Sequence, residues 1–177
     1  MPTCKISRLQ KFFFQAALAT YAAGKKAERP PDRPWVKQLT HHGEGELSGL
    51  VYVDEYHTNG EWSGGSTVIA SAEDLSHPIW LMQYCGWCKD DDPEVLAFLK
   101  QALLAAYTKG EWNGGRGPGE FAEDKENGLV YMNWPLMPPF DQSFRSFIGR
   151  ERIWRQPDRT KDTFWHQYQG WLLGEPE

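Results

Sequence analysis

Gln83-Tyr84-Cys85-Gly86-Trp87 and Gln167-Tyr168-Gln169-Gly170-Trp171 are two copies of one pentapeptide, Gln-Tyr-x-Gly-Trp. Each copy follows a second shared feature, Trp62-Ser63-Gly64 before the first and Phe147-Ile148-Gly149 before the other. The Gly64–Gly86 and Gly149–Gly170 separations agree to within one residue. Self-similarity at a fixed spacing implies two units built on one plan. A further echo, Gly60-Glu61-Trp62-Ser63-Gly64-Gly65 against Gly110-Glu111-Trp112-Asn113-Gly114-Gly115, is out of phase with the first and reflects loop composition.

Reading outward from the pentapeptides gives the elements. Ile6, Leu9, Phe13, Ala17 and Tyr21 recur at helical spacing and predict a first helix ending at Gly24. Leu50 to Tyr56 alternates as a strand does, and Thr58-Asn59-Gly60 supplies turn chemistry. Trp62 to Ala70 reads as the next strand, and a turn near Glu73-Asp74 leads to a third, Pro78 to Tyr84. Asp92 offers an N-cap, Pro93 the first helical position and Glu94 a favourable first-turn charge. Val95, Leu96, Leu99, Ala102, Leu103 and Ala106 then form the buried stripe of a second helix. Leu129 to Trp134, Phe144 to Trp154 and Thr163 to Trp171 complete a second set of three strands, with Pro135, Pro138 and Pro139 breaking the chain between them. The expected fold class is α+β. Pseudo-duplicated α-β-β-β halves, about residues 1–88 and 89–174 of one domain over 1–177, form an antiparallel sheet backed by two helices. Lys25 to Ser48 is read as a long polar loop, either a lid or a surface excursion.

Composition narrows the function classes. Net charge is −5 and the pI about 5.6, so the broad positive field of a non-specific nucleic-acid binder is missing. Nine Trp residues serve a core, a ligand groove, or both. Three cysteines make no disulfide framework, which fits a cytoplasmic location. Lys5, Arg8 and Lys11 before Phe12 to Ala19 resemble a signal peptide, but the helical spacing explains more residues. No segment is long and apolar enough to cross a bilayer.

The chemical motifs are weak. Cys85 and Cys88 form a Cys-x-x-Cys pair followed by Asp90-Asp91-Asp92, whose charge favours thiol over thiolate, and the second pentapeptide has Gln169 and Leu172 in their places. Two cysteines are half of a structural zinc set, and Cys4, His41, His42 or His57 would have to complete it. Gly114-Gly115-Arg116-Gly117-Pro118 has the glycines of a phosphate loop without its Lys-Ser/Thr or its helix. Arg145, Arg150, Arg152, Arg155 and Arg159 around Trp154 suit either phosphate contacts or a solvated strand face with Arg over Trp. No catalytic residue, metal or cofactor is assigned. Glu151 differs: alternation puts it on one face with Phe147, Gly149 and Ile153, where a carboxylate answers a ligand or an internal cation.

Thr20-Tyr21-Ala22, Asp54-Glu55-Tyr56, Pro78 to Gly86, Arg116-Gly117-Pro118 and Phe147 to Glu151 together span most of the chain. In these segments the sequence resembles a bacterial domain family of unknown function found C-terminal to some XRE-type helix-turn-helix regulators. Gln83 stands where that family's Pro-x-Trp-x-Met-Asn-Tyr-x-Gly has Asn, and Ser66 where its first Gly-x-Glu has Glu. The resemblance implies a stand-alone version of a regulator-attached domain, hence an effector-type small-molecule binder. Its site is expected between the halves, lined by Trp62, Trp80, Tyr84, Tyr168 and Trp171, with Glu151 as polar anchor. The alternatives are a protein-interaction domain acting as a homodimer and, third, an enzyme dependent on Cys85 and Cys88.

Overall fold

Helix α1 spans Ile6–Ala19 and buries Leu9, Phe13 and Ala17 of the predicted stripe together with Phe12, Phe14 and Ala16, while Ile6 and Tyr21 are partly buried. It unwinds through Thr20-Tyr21-Ala22-Ala23 to Gly24, which sits at φ +69° where a side chain would be strained. Gly24 N–H donates to Tyr21 O and Lys25 N–H to Thr20 O. Helix α2 spans Pro93–Lys109, and the Asp92 carboxylate caps it by accepting from Glu94 N and Val95 N. It closes in the same way on Tyr107-Thr108-Lys109-Gly110, with Gly110 at φ +68°, Gly110 N–H on Tyr107 O and Glu111 N–H on Ala106 O. The computed structural model describes residues 6–119, 121–136 and 142–174. Cys4, Lys5, Pro138 and Pro139 therefore lie outside the described residues.

Each helix precedes four strands. The first set is β1 (Lys37–His42), β2 (Leu50–Asn59), β3 (Trp62–Ser71) and β4 (Asp74–Cys88). The second is β5 (Ala122–Asp124), β6 (Leu129–Pro135), β7 (Ser146–Arg155) and β8 (Asp162–Leu172). All eight form one antiparallel sheet in the order β1-β2-β3-β4-β8-β7-β6-β5. The expected three strands per set are corrected to four. The stretch read as a loop from Lys25 to Ser48 contains edge strand β1, which has one buried residue, Leu39, and so lacks a readable alternation. Strand β5 is only three residues long. Phe144 precedes β7 rather than opening it, and its ring stacks on Trp80 with centroids 4.8 Å apart.

The two sets join where β4 meets β8, and the pentapeptides lie side by side there, with Tyr84 directly opposite Tyr168. On the face toward the helices, large rings alternate with glycines across the strands. Gly170 leaves room for the Phe147 ring, Gly149 for the Tyr168 ring and Gly86 for the His166 ring. A Cβ on any of the three would come within 2.3 Å of its neighbour. In the register Gly65, not Gly64, lies opposite Tyr84, as Gly149 lies opposite Tyr168, and two residues further on Thr67 and Glu151 both point inward and are buried.

The core fills the space between this face and the helices. Phe13 is its hub, with ring contacts to Tyr52, Trp80, Tyr107, Trp112 and Phe144. No helix among the described residues is long and apolar enough to cross a membrane.

Candidate functional site

A cavity of about 310 Å³ lies between the helices and strands β2, β3, β4 and β8. Its walls include rings from Phe13, Tyr21, Tyr52 and Tyr84, and polar groups from Asp54, Ser63, Arg116 and His166. Lys37 and Lys100 also line it, with their ammonium groups over the Tyr56 and Tyr21 rings at 5.6 and 5.7 Å.

Asp54 is the unusual wall residue. Alternation along β2 sets it on the inner face with Leu50 and Tyr52, and it is 4% exposed. Its Oδ1 accepts from the Tyr84 and Thr67 hydroxyls, both at 2.8 Å. Its Oδ2 has no hydrogen-bond partner among the described residues. Burial pushes the Asp54 carboxyl above the usual carboxylate range, against the pull of Tyr84, Thr67 and the Arg116 charge.

Behind one wall runs a second polar group, centred on Glu151. Arg116 grips Glu151 Oε1 through Nε at 2.8 Å and through one Nη, and the Tyr131 hydroxyl donates to Oε2 at 2.6 Å. His166 Nδ1 lies 3.3 Å from Oε1 and 3.4 Å from the Arg116 Nη. Burial alone would raise the Glu151 carboxyl, but Arg116 and His166 outweigh it and hold the group at about 2. Burial lowers His166 below its usual value. The loop carrying Arg116 is fastened in turn. Asn133 Nδ2 donates to Asn113 O and Gly117 O, the Tyr131 hydroxyl accepts from Gly117 N, and the Tyr168 hydroxyl donates to Asn133 Oδ1 at 2.6 Å.

The residues expected at a site divide into three groups. Tyr84 lines the cavity, and Trp62 stands at it 58% exposed. Trp80 and Tyr168 are buried in the core, the Trp80 Nε1 donating to Phe144 O. Trp171 is half-buried on the other face of the sheet, opposite Leu81. Glu151 is fully buried against Arg116, Tyr131 and His166 rather than lining the cavity.

Known proteins offer no guide. The chain matches no family model, and no curated protein or solved structure is significantly similar to it. The site must therefore be read from its own chemistry. Asp54, Arg116 and His166 were not singled out as site residues from the sequence. Alternation counted from Leu50 puts Asp54 on the face of Leu50 and Tyr52, and Arg116 is the single cation of its glycine loop, signals that could have marked both.

The remaining motifs also have places. Cys85 is exposed and Cys88 buried, and burial raises the Cys88 thiol to about 11. No group of three or more metal-ligating side chains occurs among the described residues. Arg152 lies over the Trp154 ring at 4.7 Å and pairs with Asp162, while Arg155 bridges to Asp92 and Glu94.

Proposed function

We propose that the chain is a small-molecule binding domain of the effector type, and that its site is the cavity walled by Asp54. The observation that carries this reading is one buried carboxylate with a free oxygen, set among aromatic rings in a space of about 310 Å³. Pockets for small organic molecules have that character: mostly apolar, with few polar groups that fix orientation. A ligand N–H or ammonium would satisfy Asp54 Oδ2, and the tyrosine rings would hold its apolar body or its positive charge. In this reading Glu151 is a second-line residue that fixes Arg116 and His166, and the two α-plus-strand units are copies. The matching Tyr-x-x-Gly helix ends and the Tyr84–Tyr168 pairing support that duplication. Kinship with the regulator-attached family belongs to the same proposal.

The test is a metabolite screen by thermal shift and Trp fluorescence, repeated on Asp54→Asn. A ligand that raises the melting temperature of the wild type and binds Asp54→Asn at least about tenfold more weakly supports the reading, a loss on the order of one charged hydrogen bond. Unchanged binding by Asp54→Asn overturns it. A protein-interaction role has one observation in its favour, the exposure of Trp35 and Trp62 at 63% and 58%. Light scattering at high concentration decides it, since a monomer counts against a homodimer.

A further inference from the structure

One row of residues runs perpendicular to the strands on the helix-facing side of the sheet. Thr58 on β2 pairs with Ser63 on β3, Ser63 with Gly86 on β4, Gly86 with His166 on β8, and His166 with Glu151 on β7. Ser63 and His166 are thus two strands apart, with a glycine between them. A Cβ on Gly86 would stand 1.8 Å from His166 Cδ2, so the imidazole lies across the β4 backbone in the space the glycine leaves. There its Nε2 reaches Ser63 Oγ at 3.3 Å, while its Nδ1 lies 3.3 Å from Glu151 Oε1. A hydroxyl on Nε2 and a carboxylate on Nδ1 are the connections a serine nucleophile, its base and the base's anchor require, and here Nδ1 also has the Arg116 Nη at 3.4 Å.

We propose that Ser63 and His166 on the cavity wall, with Glu151 behind them, form a nucleophilic relay that acts on small carboxylic esters. The inference rests on the cavity being a ligand site, because Ser63 and His166 both line it. Glu151 stays ionised because Arg116 and Tyr131 hold it. Two groups meet His166 Nδ1: Glu151 Oε1 at 3.3 Å, which favours a proton there and leaves Nε2 free to accept, and the donor-only Arg116 Nη at 3.4 Å, which favours the other tautomer, so the relay is loaded when Nδ1 takes the carboxylate as its partner. Arg116 Nη1 has no partner among the described residues, and Arg116 lines the same cavity, so it is the donor available to negative charge developing on a carbonyl oxygen.

In the reaction, Ser63 Oγ bonds to the carbonyl carbon as its proton passes to His166 Nε2. The adduct collapses by breaking the ester C–O bond, and the alcohol leaves with that proton. Water then attacks the acyl-serine by the same relay, releasing the carboxylic acid and restoring the Ser63 hydroxyl. Ser63 and His166 are the catalytic residues of this scheme, and Glu151 is a positioning residue acting through His166.

The test uses the intact protein and a fluorophosphonate, which traps such a serine by forming an Oγ–P bond with loss of fluoride and the serine proton. Mass spectrometry of the intact protein and its peptides should find one adduct, on Ser63, absent from Ser63→Ala. His166→Gln, with its fold verified by circular dichroism, should label at least about a hundredfold more slowly. The ionisable groups facing His166 are Glu151 from β7, Arg116 from the loop after α2 and Tyr84 from β4. In Glu151→Gln the imidazole loses its counter-charge, so the pH midpoint of labelling should fall, a shift that a purely structural role would not give. No adduct on the wild type, an adduct elsewhere, or His166→Gln labelling at the wild-type rate overturns the relay. A ligand that needs Asp54 in a protein that resists labelling would overturn the relay and leave the binding reading standing.

Discussion

Tyr84 and Tyr168 stand directly opposite each other across the β4–β8 ladder, and each donates its hydroxyl to a buried polar side chain two strands out, Asp54 on β2 and Asn133 on β6. The two bonds differ in surroundings. Tyr168 is 1% exposed and Asn133 holds the Arg116 loop, whereas Tyr84 borders the cavity, where water can replace a lost hydroxyl. Tyr168→Phe should therefore cost about 1–3 kcal/mol, the penalty of a buried acceptor left unpaired, and Tyr84→Phe less. Urea titrations of the two variants check the order.

The Glu151–Arg116 pair should be a pH-dependent support of the fold. Glu151 is depressed from 4.5 to about 2 in the folded protein, so its contribution is fully present above about 4.5 and is lost as pH falls toward 2. Glu151→Gln leaves the Arg116 charge buried without its partner and should destabilise by about 3–5 kcal/mol at neutral pH. The deficit relative to wild type should narrow between pH 4.5 and 2 and be flat above. Equal deficits at pH 3 and pH 7 would contradict this.

Asp54 should show the opposite sign. Its carboxyl is raised by burial, so its contribution is favourable below the unfolded value of 3.8 and is lost as pH rises through the folded one. Asp54→Asn keeps an acceptor for Tyr84 and Thr67 while removing the buried charge. It should melt higher than wild type at pH 7, by about 2–4 °C for each 1 kcal/mol relieved, and the difference should close in acid. A residue that stabilises the protein when neutralised yet is needed for a ligand is the pattern of a binding site.

These contrasts bear on what the sequence discloses. The pentapeptides turn out to pair with each other at the sheet's central joint, which their sequence did not state, while alternation placed Glu151 inward with Phe147 and Ile153, which the burial along β7 matches. Periodicity and the Asp92-Pro93 start gave both helices. Edge strands β1 and β5 were not legible because an edge strand with one buried side chain, or with three residues, carries no alternation. Arg116 stands out as the single cation of its glycine loop, but its pairing with Glu151, 35 residues away, depends on how that loop packs and was not legible. The one-residue offset between Gly64 and Gly65 is set by strand pairing, which sequence spacing does not contain.

Gly86 and Gly170 of the repeat should be packing residues, in contrast to Gly128 outside it. Gly170→Ala would place a Cβ 2.3 Å from Phe147 Cζ and 2.5 Å from Leu81 O, and Gly86→Ala would collide with His166 and with Trp165 O at 2.2 Å. Both should cost about 1–3 kcal/mol or more, as overpacked positions do. Gly128→Ala meets nothing within 4 Å and carries only the strain of φ +63°, about 1–2 kcal/mol. Thermal melts rank the three, and only Gly86→Ala should also separate Ser63 from His166.

The two cysteines should react as unrelated thiols. Three residues apart on β4, Cys85 and Cys88 point to opposite faces, the first exposed and the second buried with its thiol raised to about 11. Peptide mapping after mild iodoacetamide treatment at pH 7.5 should therefore find Cys85 alkylated and Cys88 untouched. Under an oxidant, Cys85 should form adducts with small thiols and no bridge to Cys88, because side chains on opposite faces do not reach the separation a disulfide needs. An internal Cys85–Cys88 disulfide in the folded protein would show that β4 rearranges there, and would return the pair to consideration as a redox site.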